Sequence, residues 1–195
     1  NGHDIMSPGL NQQIGIGLYP AGALLNHSCA PNVAFYHDNT GMLCFRCIKD
    51  VQQGTELAST YIDIYEPSAK RKQLLKRRYN FDCECERCSN PVDDKLLCGF
   101  LCAEKGCGKL LVETPEGNLH CPDCNKDVTM KSKQEILESI TEHQEQAIQL
   151  ANLGQYNQAL TYLMKSISFG TVHLHALHSI NFATYQVASV IFSSL

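Results

Sequence analysis

Cys83-x-Cys85-x-x-Cys88 places three thiols within six residues. Such a run can take three corners of a zinc tetrahedron and leaves the fourth to a distant part of the chain. Cys29, in Asn26-His27-Ser28-Cys29-Ala30-Pro31-Asn32, is a candidate because its surroundings are polar and turn-rich. Cys44 and Cys47 instead sit inside a strand pattern and read as packing residues. On spacing alone His27 or His37 could equally complete the site, with Cys29 a small core residue. A second group, Cys102-x4-Cys107-x13-Cys121-x2-Cys124, has two thiol pairs, glycines at the first knuckle (Gly106, Gly108) and a hairpin-like stretch from Leu110 to Leu119 between them. That is zinc-ribbon spacing and predicts a second zinc. Cys98 could substitute for Cys102, and His120 could compete with Cys121. His173, His175 and His178 do not share one helical face and are read as non-ligands.

The composition bounds what these sites serve. The chain has 195 residues, 44% hydrophobic and 18% charged, which excludes whole-chain disorder and allows one or two domains. A formal charge of −4 and a pI near 6.0 give no general attraction to polyanions. No run approaches the roughly 20 apolar residues that span a bilayer, and Asn1-Gly2-His3-Asp4 lacks an export leader. Eleven cysteines, odd in number and clustered, fit metal binding in a reducing compartment better than disulfides. The expectation is an intracellular protein, cytoplasmic or nuclear, with no membrane partner. Asn26-His27-Ser28 fits the glycosylation pattern and is discounted on the same ground. A first residue other than methionine fits a fragment or a processed piece.

Elements must position these groups. Val33 to Tyr36, a polar turn, and Met42 to Ile48 predict a hairpin, and Ala58 to Ile62 a further short strand. After Pro67, Ser68 can cap a helix over Ala69 to Arg78. That helix carries Lys70, Arg71, Lys72, Lys76, Arg77 and Arg78 without an acid. A solvated face is the first reading, with nucleic acid or an acidic substrate second. From Lys131 the period is helical. Ile136, Leu137, Ile140, Ala147, Ile148 and Ala151 form one stripe, Tyr156, Ala159, Leu160, Leu163 and Ile167 a second, and Leu177, Ile180, Val187 and Ile191 a third. Breaks at Leu153-Gly154-Gln155 and Phe169-Gly170-Thr171 predict three antiparallel helices. The Gly154-x-Tyr156-x-x-Ala159 step resembles the turn of a tetratricopeptide repeat.

Four blocks occur in order: Gly15-Ile16-Gly17-Leu18-Tyr19-Pro20; Leu24-Leu25-Asn26-His27-Ser28-Cys29-x-Pro31-Asn32; Gly54-x-Glu56-Leu57-x-x-x-Tyr61; and Tyr79-x-Phe81-x-Cys83-x-Cys85-x-x-Cys88. Together they resemble the C-terminal half of a SET domain and its post-SET motif, as in the SET-and-MYND lysine methyltransferases. The resemblance covers about residues 1 to 90, and the helices beyond it are also similar to that family's C-terminal domain. It implies that Tyr61 is the catalytic tyrosine and that Asn26 and His27 hold S-adenosylmethionine, with their segment threading under the loop before Tyr61 as a pseudoknot. Tyr79 would line the substrate-lysine channel, Phe81 would cover the cofactor's adenine, and Asn1 would be a further cofactor contact. Cys29 with Cys83, Cys85 and Cys88 would form the family's zinc site.

The expected fold is therefore α+β and multi-part: residues 1–66 the C-terminal part of a SET domain, 67–94 the post-SET helix and zinc motif, 95–128 a zinc-ribbon-like segment, and 129–195 a tetratricopeptide-like helical domain. The expected function is S-adenosylmethionine-dependent methylation of lysine side chains in proteins, with an acidic peptide as a candidate partner of the helical tail. The family's N-terminal half, with its glycine-rich cofactor loop and MYND finger, has no counterpart before Asn1. A second expectation therefore stands beside the first, a non-catalytic, zinc-stabilised module that binds peptides through its helices.

Overall fold

The computed structural model describes residues 2–6, 13–38 and 40–193. Asn1, one of the expected cofactor contacts, lies outside them. The chain forms two compact units, residues 1–92 and 93–195.

In the first unit, β1 (Gly2–Met6) and β2 (Gln13–Leu18) form an antiparallel ladder. The predicted hairpin is present as β4 (Val33–His37) and β5 (Leu43–Cys47), with Val33 opposite Cys47 and His37 opposite Leu43. Its turn is held by the Asp38 carboxylate, which accepts from the backbone N–H of Thr40 and Met42, both at 2.9 Å. Gly41 supplies the positive φ of 82° that the turn requires. Cys44 is half-buried, but Cys47 is exposed, so only Cys44 of that pair packs as expected.

A further pairing positions the site. Two-residue strands β3 (Asn26–His27) and β6 (Ala58–Ser59) run parallel, Asn26 opposite Ala58 and His27 opposite Ser59. So short a ladder needs support, and Asn32 gives it. The Asn32 amide donates to the Glu56 carbonyl at 2.8 Å, and its Oδ1 accepts from Ala58 N–H at 2.8 Å.

Helix α1 spans Ser68–Tyr79. Ser68 is its first residue, and Pro67 takes the cap position, where its fixed φ suits helix entry. Asn80, at φ 59°, ends the helix in the left-handed conformation and turns the chain into Phe81. The six bases of this segment do not form one solvated face. Arg71 is fully buried, Lys70 pairs with Glu66 and Lys76 with Asp82, each at 2.6 Å. Exposed Lys72, Arg77 and Arg78 are what remains of the basic run. Leu75 of α1 packs with Cys29, Ile62, Cys83 and Cys88 in the core.

The second unit opens with the short α3 (Asp94–Leu97), preceded in the first unit by the equally short α2 (Glu86–Ser89). A three-stranded antiparallel sheet follows, β7 (Val112–Glu113), β8 (Leu119–His120) and β9 (Asp127–Val128). Helices α4 (Met130–Asn152), α5 (Tyr156–His173) and α6 (Ser179–Phe192) complete it. Thr129 caps α4 by accepting from Ser132 N–H at 3.2 Å. Gly154, at φ 73°, makes the expected turn into α5.

The second expected break is not one. Helix α5 runs through Phe169-Gly170-Thr171 to His173. Gly170 is there for proximity: a Cβ on it would lie 2.6 Å from Asn181 Oδ1 of α6. The chain turns later, at Leu174 to His178, so Leu177 precedes α6 and is exposed, as is Ile148 of the first stripe. Ala147, Ala159, Leu163, Ala188 and Ile191 form one core among the helices. A second core joins sheet to helices, with Phe100, Cys102, Leu111, Leu119 and Cys121 packed against Ile140 and Leu174.

Candidate active site and metal centres

The β3–β6 ladder sets Asn26 and His27 beside the segment that carries Tyr61. Ser28 N–H donates to the Ser59 carbonyl at 2.9 Å, extending the pairing. Tyr61 is then held at both ends. Its backbone N–H donates to His27 Nδ1 at 3.0 Å, and its phenol donates to the Leu25 carbonyl at 2.5 Å. Tyr79 Oη donates to the Tyr61 carbonyl at 3.3 Å. The ring centroids of Tyr61 and Tyr79 lie 5.0 Å apart, those of His27 and Tyr61 5.2 Å, and those of His27 and Phe81 6.0 Å. Four aromatic side chains from three separated segments therefore form one cluster. Burial first, and Tyr79 second, raise the Tyr61 pKa above the usual phenol range, so it is a neutral phenol at physiological pH.

Asn26 is exposed beside this cluster, and its amide donates to Glu56 Oε1 at 2.6 Å. An apolar groove of about 340 Å³ is lined by Leu18, Tyr19, Pro20, Leu25, Leu43 and Phe45 among others.

Cys29, Cys83, Cys85 and Cys88 converge, with all four sulfurs within 4.8 Å of one another. Cys29 and Cys88 Sγ are 3.5 Å apart. A tetrahedral zinc–thiolate site, with bonds of about 2.3 Å, needs sulfurs about 3.8 Å apart, so this donor set fits zinc. Neither His27 nor His37 completes the four. His27 stands behind the cage, Nε2 at 3.2 Å from Cys29 Sγ, and His37 stacks with Tyr19. Burial is the largest cause acting on the thiols of Cys29, Cys83 and Cys85. It raises the Cys29 and Cys83 pKa values, while backbone N–H groups of Cys29 and Cys88 outweigh it at Cys85 and bring that thiol to about 6. One thiol is thus poised to ionise first, and a divalent cation would draw the protons from the rest.

The SET domain family matches residues 7–62. The histone-lysine N-methyltransferase ASHR1 of Arabidopsis thaliana is 33% identical over 142 residues, covering 70% of this chain and 29% of its own length. The human histone-lysine N-methyltransferase SMYD3 is 39% identical over 83 residues, 43% of this chain and 19% of its own. A SET and MYND domain-containing protein of Dictyostelium discoideum is 33% identical over 129 residues, 57% of this chain and 33% of its own. The chain belongs to the SET-and-MYND family. It spans a third or less of the length of these relatives.

In this SET-and-MYND chain the second thiol group also closes. Cys102, Cys107, Cys121 and Cys124 have all sulfurs within 4.8 Å, Cys107 and Cys121 at 3.6 Å. The knuckles come from Gly106 and Gly108, both at positive φ, and from Asn125 at φ 53°. Cys98 is exposed and outside the four, and His120 turns to Asp127 at 2.7 Å, so the competing ligand choices fall away. A backbone bond from Cys124 N–H, first among the causes, lowers the Cys121 pKa to about 7. Among His173, His175 and His178 no metal cluster forms within the described residues.

Some groups around the site were not singled out from sequence. Arg71 donates to the Glu66 carbonyl and brings its guanidinium 3.8 Å from Cys88 Sγ. Arg87 donates to the carbonyls of Ile64 and Cys29. The Arg71 guanidinium would offset part of the net negative charge that four thiolates leave on a zinc site. Only the post-SET spacing marks Arg87, as a base between two ligands; Arg71 is hidden among five other bases.

Proposed function

We propose that this chain contributes one wall of the catalytic centre of a protein-lysine methyltransferase. The observation that carries this is the placement of Tyr61, fixed by Leu25 and His27 on the parallel ladder and flanked by Tyr79 and Phe81. Asn26 and His27 hold S-adenosylmethionine, Phe81 covers its adenine and Tyr79 lines the lysine channel, with the β3 segment threaded as a pseudoknot. Support comes from the exposed Asn26 amide, which can bond a polar ligand, and from the half-buried Phe81 ring, which can stack on a base. When bound, S-adenosylmethionine supplies an electrophilic methyl on a sulfonium.

The protein's part is alignment and exclusion of water. The Tyr61 phenol proton is committed to the Leu25 carbonyl, so its oxygen offers lone pairs outward. It can accept from an incoming amine and point the nitrogen lone pair at the methyl group. Its raised pKa makes it an orienting acceptor rather than a phenolate base. Zinc in the first thiol cage would clamp Cys29, three residues beyond Asn26, to the segment carrying Phe81. The second cage is likewise structural. Protein substrates carrying lysine are the expected partners. The groove of about 460 Å³ lined by His143, Lys165, Ser168, Phe169, Val172 and His173 is the place for an acidic peptide. Thiolate ligands require a reducing compartment, which supports a cytoplasmic or nuclear location.

Calorimetric titration of zinc-loaded protein with S-adenosylmethionine, followed by a lysine-peptide array with labelled cofactor, tests the proposal. Tyr61→Phe should lower incorporation about a hundredfold, the cost of misplacing one reacting group. Equal labelling by the two proteins removes Tyr61 from the mechanism. Silence in calorimetry with zinc bound supports the non-catalytic peptide-binding module instead.

A further inference from the structure

We propose that the His27 side chain is a positioning residue that couples the first metal cage to Tyr61 through two directed hydrogen bonds. The direction follows from the partners. Tyr61 N–H is only a donor, so His27 Nδ1, 3.0 Å away, must accept. A neutral imidazole that accepts at Nδ1 carries its proton on Nε2. Nε2 faces Cys29 Sγ at 3.2 Å. A metal-bound thiolate has no proton to give, so it accepts. The sequence of donors is then fixed: Tyr61 backbone to His27, and His27 to the Cys29 sulfur.

The surroundings hold the ring in this pose. The His27 backbone pairs with Ser59, and the rings of Tyr61 and Phe81 flank the imidazole. Cys29 is buried, so its sulfur has no water to replace this donor. Metal loading therefore reaches the Tyr61 backbone through one side chain, beyond its effect on overall folding. The coupling to catalysis rests on the methyltransferase reading; the hydrogen-bond polarity does not.

The test uses the full chain loaded with cadmium-113 and labelled with nitrogen-15 at histidine. The expected spectrum shows His27 as the Nε2–H tautomer, with a scalar coupling from that proton to cadmium through Cys29 Sγ. An Nδ1–H tautomer, an imidazolium or an uncoupled Nε2 proton overturns the bridge. The kinetic arm compares His27→Asn, which keeps an acceptor for Tyr61 but cannot reach Cys29, with His27→Gln, which reaches Cys29 but offers Tyr61 no acceptor. Both should retain metal and lose about tenfold or more in kcat, with KM for the lysine peptide little changed. Either variant at the parental kcat with its metal in place refutes the coupling. Should the parent transfer no methyl groups, the methyltransferase reading falls, and the tautomer and cadmium coupling alone decide the bridge.

Discussion

His178 serves at once as a core residue and as a helix cap. It is 5% exposed, its Nδ1 accepts from Ile180 N–H at 3.2 Å at the start of α6, and its ring meets the edge of Phe100 at 5.7 Å. Burial first, then the charges of His175 and Lys133, lower its pKa from 6.5 to about 4. Below pH 6.5 the unfolded chain takes up a proton that the folded chain refuses, so this contribution to stability is present above 6.5 and lost as pH falls towards 4. The loss amounts to about 3 kcal/mol at most. His178→Asn keeps a capping acceptor without the titration. The melting temperature of the parent should therefore fall more steeply than the variant's between pH 6.5 and 4.5, and parallel slopes would assign the acid sensitivity to other groups. Residue chemistry of this kind is poorly legible in a sequence. Arg71 was one base in a run of six, and only the folded chain shows it buried against Cys88.

The sheet of the second unit is not a free-standing finger. Phe100 bridges to Leu174, Leu101 N–H donates to the His173 carbonyl at 2.7 Å, and His175 N–H donates to the Gly99 carbonyl at 2.8 Å. The segment leading into the second thiol cage thus pairs with the connection between α5 and α6, and Cys121 and Leu119 share a core with Ile140. The sheet and the helices therefore share one core. Cys121→Ser should accordingly lower the helical melting temperature, followed by circular dichroism, by about 10 °C or more. A transition unmoved in protein that has lost one metal would separate the two. Element boundaries were legible where the cause is local, as at Gly154, whose positive φ ends α4, and in the β4–β5 hairpin. They failed at Gly170, because a glycine selected for close approach of α6 has the same spelling as one selected for a turn.

For the whole molecule, each compact unit contains one closed four-sulfur site. Purified protein should carry about two zinc ions per chain by mass spectrometry of the metal, and Cys88→Ser or Cys124→Ser about one. A parent ratio near one would show that a thiol group is a packing cluster. The post-SET and ribbon spacings announced both groups, since most ligands lie within a few residues of each other. Cys29 was different: spacing left it level with two histidines, and only the ordered SET-like blocks singled it out. The aromatic cluster was likewise beyond periodicity, because Tyr61, Tyr79 and Phe81 meet His27 through a ladder two residues long. That long-range closure has a consequence for biosynthesis. Cys29 leaves the ribosome 59 residues ahead of Cys88. Until the last thiol clears the exit tunnel, the nascent segment has no way to complete its cage, so closure of the first unit around a metal waits on translation past Cys88 and on the supply of metal.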